Sequence, residues 1–134
     1  MNQILKVKFS KSYRNVIKKS SEINSVKGNE GTTIKQYFHP KDTKNEINYS
    51  LAQFTLESGK KSKLHKIKSS EIYYILQGIG DLEINKEQFH LKKDDSMYVP
   101  PNSEQFIKNT GTVDLVFLCI VEPAWKIEDE NILE

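Results

Sequence analysis

A chain of 134 residues with 37% hydrophobic content is one domain by length and carries enough apolar material for a packed core. No uninterrupted apolar run approaches the roughly 20 residues that span a bilayer, and a single cysteine, Cys119, excludes an intrachain disulfide. The net charge of +2 is uneven, because residues 1–31 hold seven Lys or Arg against two Glu and the remainder is slightly acidic, at 13 against 16. That basic stretch disfavours nucleic acid as a partner, since its charges are almost all Lys and lack the Arg and aromatic interleaving that base readout or stacking uses. Its apolar pieces are too short for a signal-peptide core, so a cytoplasmic location is expected.

In chain order, Asn2–Phe9 sets Ile4, Val7 and Phe9 among polar residues, a short first strand able to pair with the domain or with another subunit. Residues 10–33 are polar and loop-rich, with K-G-N-E-G near the end. Ile34–Phe38 reads as a strand, and the turn-rich H-P-K-D-T-K-N-E after it makes His39 a loop histidine, extended by the following Pro40. Ile47–Glu57 is the first long strand. Shorter ones follow at Ile72–Leu76, Asp81–Ile84, Gln88–Leu91 and Met97–Val99, punctuated by Gly78, Gly80, Asn85-Lys86 and Asp94-Asp95. The apolar run Val113–Val121 predicts a central strand buried on both faces, with Cys119 an inert thiol inside it. After Pro123, residues 127–133 form either a short acidic helix or an extended cover, and Trp125 packs on the domain wall or across a subunit contact. Many short strands without a helical stripe predict an all-β sandwich or small antiparallel β-barrel. The chain divides into a strand and lead-in at 1–46, a core at 47–121 and a tail at 122–134, within one domain spanning 1–134.

Site chemistry concentrates in Gly59–Gly78, G-K-K-S-K-L-H-K-I-K-S-S-E-I-Y-Y-I-L-Q-G, which carries an imidazole, His65, and a carboxylate, Glu71, into β-structure. A carboxylate taken from water needs a cation, a metal or hydrogen-bond donors, and neutral imidazole is the commonest protein metal ligand. The bland alternative is that Glu71 pairs with a nearby Lys while His65 packs neutral. His90, between Phe89 and Leu91, and His39 have no such spacing.

The spacing Gly59, His65, Ile67, Glu71, Gly78 resembles the first motif of the cupin superfamily at every fixed position except Ile67, where cupins carry a second His. D-D-S-M-Y-V-P-P-N-S-E-Q-F-I-K-N resembles part of the second motif. Pro100 and Asn109 match it, Asp94 and Asn102 stand where glycines are usual, and Gln105 stands where the last metal-binding His is expected. The resemblance covers about residues 49–121 and looks closest to small single-domain cupins grouped with sugar-phosphate isomerases. It implies a jelly roll with the Glu71 face inward. By strand parity the inferred pocket is lined by His65, Ile67, Glu71, Tyr73 and Gln105, with Phe54, Met97 or Phe117 as apolar walls.

Two readings follow. In one, His65, Glu71 and Gln105 hold a divalent Mn, Fe, Ni or Zn ion at a weakened site, and Glu71 or Tyr73 moves a proton in an isomerase, lyase or dioxygenase acting on a small metabolite. In the other, Gln105, Glu71 and Tyr73 hydrogen-bond to one another and the barrel is a non-catalytic, metal-free sensor of a small ligand. Edge strands, the N-terminal strand and the Trp-bearing tail lead to the expectation of a homodimer.

Overall fold

The computed structural model describes residues 16–134, so the strand expected at Asn2–Phe9 lies outside the described residues. Eleven strands follow: β1 (Val26–Lys27), β2 (Thr33–Phe38), β3 (Ser50–Leu56), β4 (His65–Ile67), β5 (Ser70–Gln77), β6 (Ile79–Ile84), β7 (Glu87–Lys92), β8 (Ser96–Val99), β9 (Gln105–Asn109), β10 (Leu115–Glu122) and β11 (Glu130–Ile132). Single 3-10 turns occur at Ser20–Glu22, Pro40–Thr43 and Ile127–Asp129. Among the described residues no helix is long and apolar enough to cross a membrane.

The strands form two antiparallel sheets, ordered β1-β2-β3-β10-β5-β8 and β11-β4-β9-β6-β7, which enclose one core in the jelly-roll manner. Alternation places the side chains. On β5, Glu71, Tyr73 and Ile75 point inward while Ile72 and Tyr74 are exposed, and on β9 Gln105, Ile107 and Asn109 point inward. Leu82, Val99, Leu115 and Phe117 complete the deepest layer. Asn109 holds the loop before β10: its Nδ2 donates to the carbonyls of Leu56 and Val113, each at 2.8 Å, and its Oδ1 accepts from Gly111 N at 2.9 Å.

Turn chemistry explains the residues between strands. Asn85 and Lys86 adopt φ of 49° and 72°, the paired left-handed conformation of a two-residue hairpin between β6 and β7. Asp94 and Asn102 take φ of 72° and 62°; Asp and Asn are the non-glycine residues that best tolerate the left-handed region, so they replace glycine there with the backbone kept. Gly78 is more constrained, because at φ 83° an added Cβ would stand 2.9 Å from the carbonyl oxygen of Asp114.

One expectation changes and one alternative is decided. β10 is central, hydrogen-bonded to β3 and β5, yet it is buried on one face only: Leu115, Phe117, Cys119 and Val121 face the core while Ile120 is 41% exposed. The apolar run therefore reflects an apolar outer surface. The tail takes the extended form, with β11 pairing along β4 in the register Glu130↔Ile67 and Ile132↔His65. Trp125 packs against the core, its backbone N donating to Ser50 Oγ at 3.0 Å.

Candidate ligand cavity

A cavity of about 790 Å³ opens between the sheets where the lead-in, the Pro40–Thr43 turn and the tail meet. His65, Ile67, Glu71 and Tyr73 all line it, as do Phe54 and Phe117. Met97 does not line it and packs, partly buried, against the core. The aromatic wall is a stacked column: Phe54 lies over Phe117 at 5.4 Å between ring centroids, and Tyr73 over Phe117 at 5.2 Å.

Gln105 sits behind this wall rather than in it, 1% exposed. Its amide is fully engaged, because Tyr73 Oη donates to Oε1 at 2.6 Å and Nε2 donates to Glu71 Oε1 at 2.6 Å. Tyr73, Gln105 and Glu71 thus form a buried relay with one direction of donation. Burial pushes the Glu71 carboxyl up to about 7; the Gln105 hydrogen bond and His65 oppose the rise, and the carboxylates of Glu130 and Glu30 add to it. Burial, then the neighbouring Glu71, pushes the Tyr73 phenol well above its usual range, and burial likewise raises the Cys119 thiol, which keeps it inert.

His65 is oriented by its own strand approach. Its Nδ1 lies 2.6 Å from the carbonyl oxygen of Lys63, an acceptor only, so a neutral ring carries its proton on Nδ1 and presents Nε2 as an acceptor. Among the described residues Nε2 has no protein partner. His39 comes to the cavity mouth after all: its Nδ1 accepts from Lys41 N at 3.4 Å and its Nε2 donates to the carbonyl of Trp125 at 3.2 Å, tying the Pro40–Thr43 turn to the tail. His90 is remote, exposed on β7 beside Asp81.

Two acidic residues escaped the sequence reading. Glu30 is buried and lines the cavity, accepting from Thr32 Oγ1 at 2.6 Å; burial raises its carboxyl, with the Thr32 hydrogen bond and His65 opposing. Gly28 makes room for it, since a Cβ there would stand 2.2 Å from Glu30 Oε1. Glu130 reaches the cavity from β11, opposite Ile67; its Oε2 accepts from Trp125 Nε1 at 3.4 Å, and its Oε1 is buried without a partner among the described residues. The glycine bracket around Glu30 was the only local signal. For Glu130 there was none, because its placement follows from the tail pairing with β4.

The residues at the family's ligand positions do not make a full metal site. Ile67 offers no donor and the Gln105 oxygen already accepts from Tyr73, which leaves His65 and Glu71 of those four positions, where a catalytic metal has three protein ligands. Among the described residues no three His, Cys, Asp or Glu side chains are arranged to hold an ion.

Comparisons with known proteins accord with the geometry. A family model described as Cupin domain matches residues 52–121. Over 106 residues the chain is 41% identical to an uncharacterized protein of Methanocaldococcus jannaschii, covering 78% of this chain and 84% of that one. It is 29% identical over 100 residues to a Thermotoga maritima protein named an oxalate-binding protein, covering 74% of this chain and 83% of the relative. The fold matches the crystal structure of a predicted oxalate decarboxylase from Thermotoga maritima with a TM-score of 0.70 and 27% identity, over 81% of this chain and 99% of that one.

Proposed function

The chain belongs to the cupin family, and we propose that its barrel binds a small metabolite through protein groups, without a tightly held metal. The observation that supports this most is the Tyr73–Gln105–Glu71 relay, in which the amide at the second motif's ligand position is spent on internal hydrogen bonds. A cavity of about 790 Å³ with an aromatic wall and a few buried polar groups has the form of a small-molecule site. The name of the Thermotoga relative directs attention to oxalate. Here Glu71, Glu30 and Glu130 all line the cavity, and buried carboxylates repel a dianion that no metal bridges.

The test is metal and ligand dependence together. Protein purified without chelator should carry far less than one divalent ion per chain, and small metabolites should raise its melting temperature in EDTA, an effect that Glu71→Gln removes. Stabilisation by metabolites only when a divalent ion is supplied would overturn the metal-free reading.

A second reading, proton-transfer catalysis of the isomerase or lyase kind, is favoured by one observation. Glu71 titrates near neutrality inside a ligand-sized cavity, where a carboxyl both accepts and returns a proton at working pH.

A homodimer is also proposed. Ile72 is 44% exposed and lies in register with Ile120 on one side and Tyr98 on the other, a contiguous apolar patch on the outer face of the larger sheet. Sedimentation should show a dimer at micromolar concentration that Ile72→Asp converts to monomer; a monomeric starting protein sinks the proposal.

A further inference from the structure

Three glutamates of the cavity come from three separate parts of the chain. Glu30 enters from the lead-in, Glu71 from β5 and Glu130 from β11, and His65 on β4 lines the same space. Glu30, Glu71 and His65 are, with Ser50 and Ser62, the buried polar side chains of the lining. The Tyr73 and Thr32 hydroxyls are already donating, to Gln105 and Glu30.

Two acceptor atoms of the lining have no protein partner among the described residues. Glu130 Oε1 is buried without a partner. His65 is only 6% exposed and lines the cavity, and among the described residues its Nε2 has no protein partner. A buried carboxylate oxygen without a donor costs on the order of 1–3 kcal/mol or more, so such an array is retained at a cost unless a ligand supplies the protons. The stacked rings of Phe54, Phe117 and Tyr73 line the same cavity, as does Trp125. Carboxylates and aromatic faces in one cavity suit a cation with an apolar body.

From this arrangement we infer that the cavity recognises a small organic ammonium compound, its charged nitrogen among Glu30, Glu130 and His65 and its apolar body on the aromatic wall. The inference rests on the small-ligand reading above and names the ligand class. A bare metal ion suits the array less well, since the acidic groups are not gathered at the spacing an ion requires, whereas an ammonium donates along several longer hydrogen bonds. Lysines line the rim, Lys27, Lys41 and Lys126 among them, but these three are exposed and their charges are screened by solvent.

The chain's only tryptophan, Trp125, lines the cavity and reports occupancy by fluorescence. Phenylethylamine, 2-phenylethanol and 3-phenylpropionate share an aromatic body and differ in the head group. Calorimetry and fluorescence titration on the full chain should show the amine binding at least tenfold more tightly than the alcohol, and the carboxylate most weakly. Glu30→Gln combined with Glu130→Gln should abolish the preference for the amine. Glu104→Gln, an exposed carboxylate outside the cavity, should keep it.

An amine that binds no better than the alcohol overturns the inference and leaves small-ligand binding standing. So does a preference that survives the double variant or disappears with Glu104→Gln. Displacement of the amine by manganese chloride alone assigns the carboxylates to a metal and overturns it as well. Failure of all three compounds to bind removes both the inference and the small-ligand reading beneath it.

Discussion

Replacing Ile67 and Gln105 by His is expected to convert this cavity from a weak binder of Mn or Ni into a tight one, with affinity rising in two steps. His65 Nε2 and Glu71 already line one cavity, and each new imidazole adds a good donor from the same inward face. Each step should be worth at least the roughly 10–100-fold that an outer-shell partner of a metal ligand contributes. The two steps are not equivalent. Ile67→His places its ring opposite Glu130, whose unpaired oxygen can orient it. Gln105→His breaks the relay, stripping Tyr73 Oη of its acceptor and Glu71 Oε1 of its donor, at a cost of about 1–3 kcal/mol for each buried group left unsatisfied. The single Gln105→His protein should therefore melt lower than the starting protein when metal-free and be stabilised by added Ni. His65→Ala should eliminate tight binding in every background. Calorimetric titration of the four proteins decides the matter: a double variant that binds no better than the starting chain means the interior does not have the geometry of a weakened metal site.

Stability should fall between pH 5 and pH 8, and Glu71 should account for most of the fall. Its folded pKa is about 7 against an ordinary 4.5, so the native state holds a proton that the unfolded chain releases earlier. Below 4.5 both states are protonated and nothing is lost. Between 4.5 and 7 the native state binds more protons than the unfolded state, so stability declines as pH rises, and above 7 the full cost of a buried charged carboxylate is present. A shift of that size corresponds to on the order of 3 kcal/mol. Glu30, raised by the same burial, contributes in the same direction. Glu71→Gln keeps an acceptor for Gln105 Nε2 and removes the ionisation, so its stability should be much flatter over this range. Urea unfolding at pH 5 and pH 8 measures the difference; parallel pH dependence in the two proteins would show that Glu71 is not the group responsible.

Strand positions were legible because they depend on period-two alternation and turn residues, which neighbouring side chains express locally. Glu71, Tyr73 and Ile75 could be assigned to one face from spacing, and β5 carries them as spacing required. The non-glycine turns at Asn85-Lys86 and Asp94 were legible for the same reason, since the left-handed conformation is a property of the residue and its immediate neighbours.

What the chain does with its ends was decided in three dimensions. Glu30 and Glu130 are 100 positions apart in sequence and meet at one cavity only because the lead-in docks beside Lys63, whose N donates to the Glu30 carbonyl at 2.6 Å, and β11 pairs with β4. Neither residue has a local pattern that distinguishes it from a solvated surface glutamate. The distinction between Gln105 as a metal ligand and Gln105 as the link between Tyr73 and Glu71 was likewise not in the spacing, since both uses need the same inward-facing amide. The structure brings a phenol and a carboxylate within 2.6 Å of its two ends, with all three side chains buried.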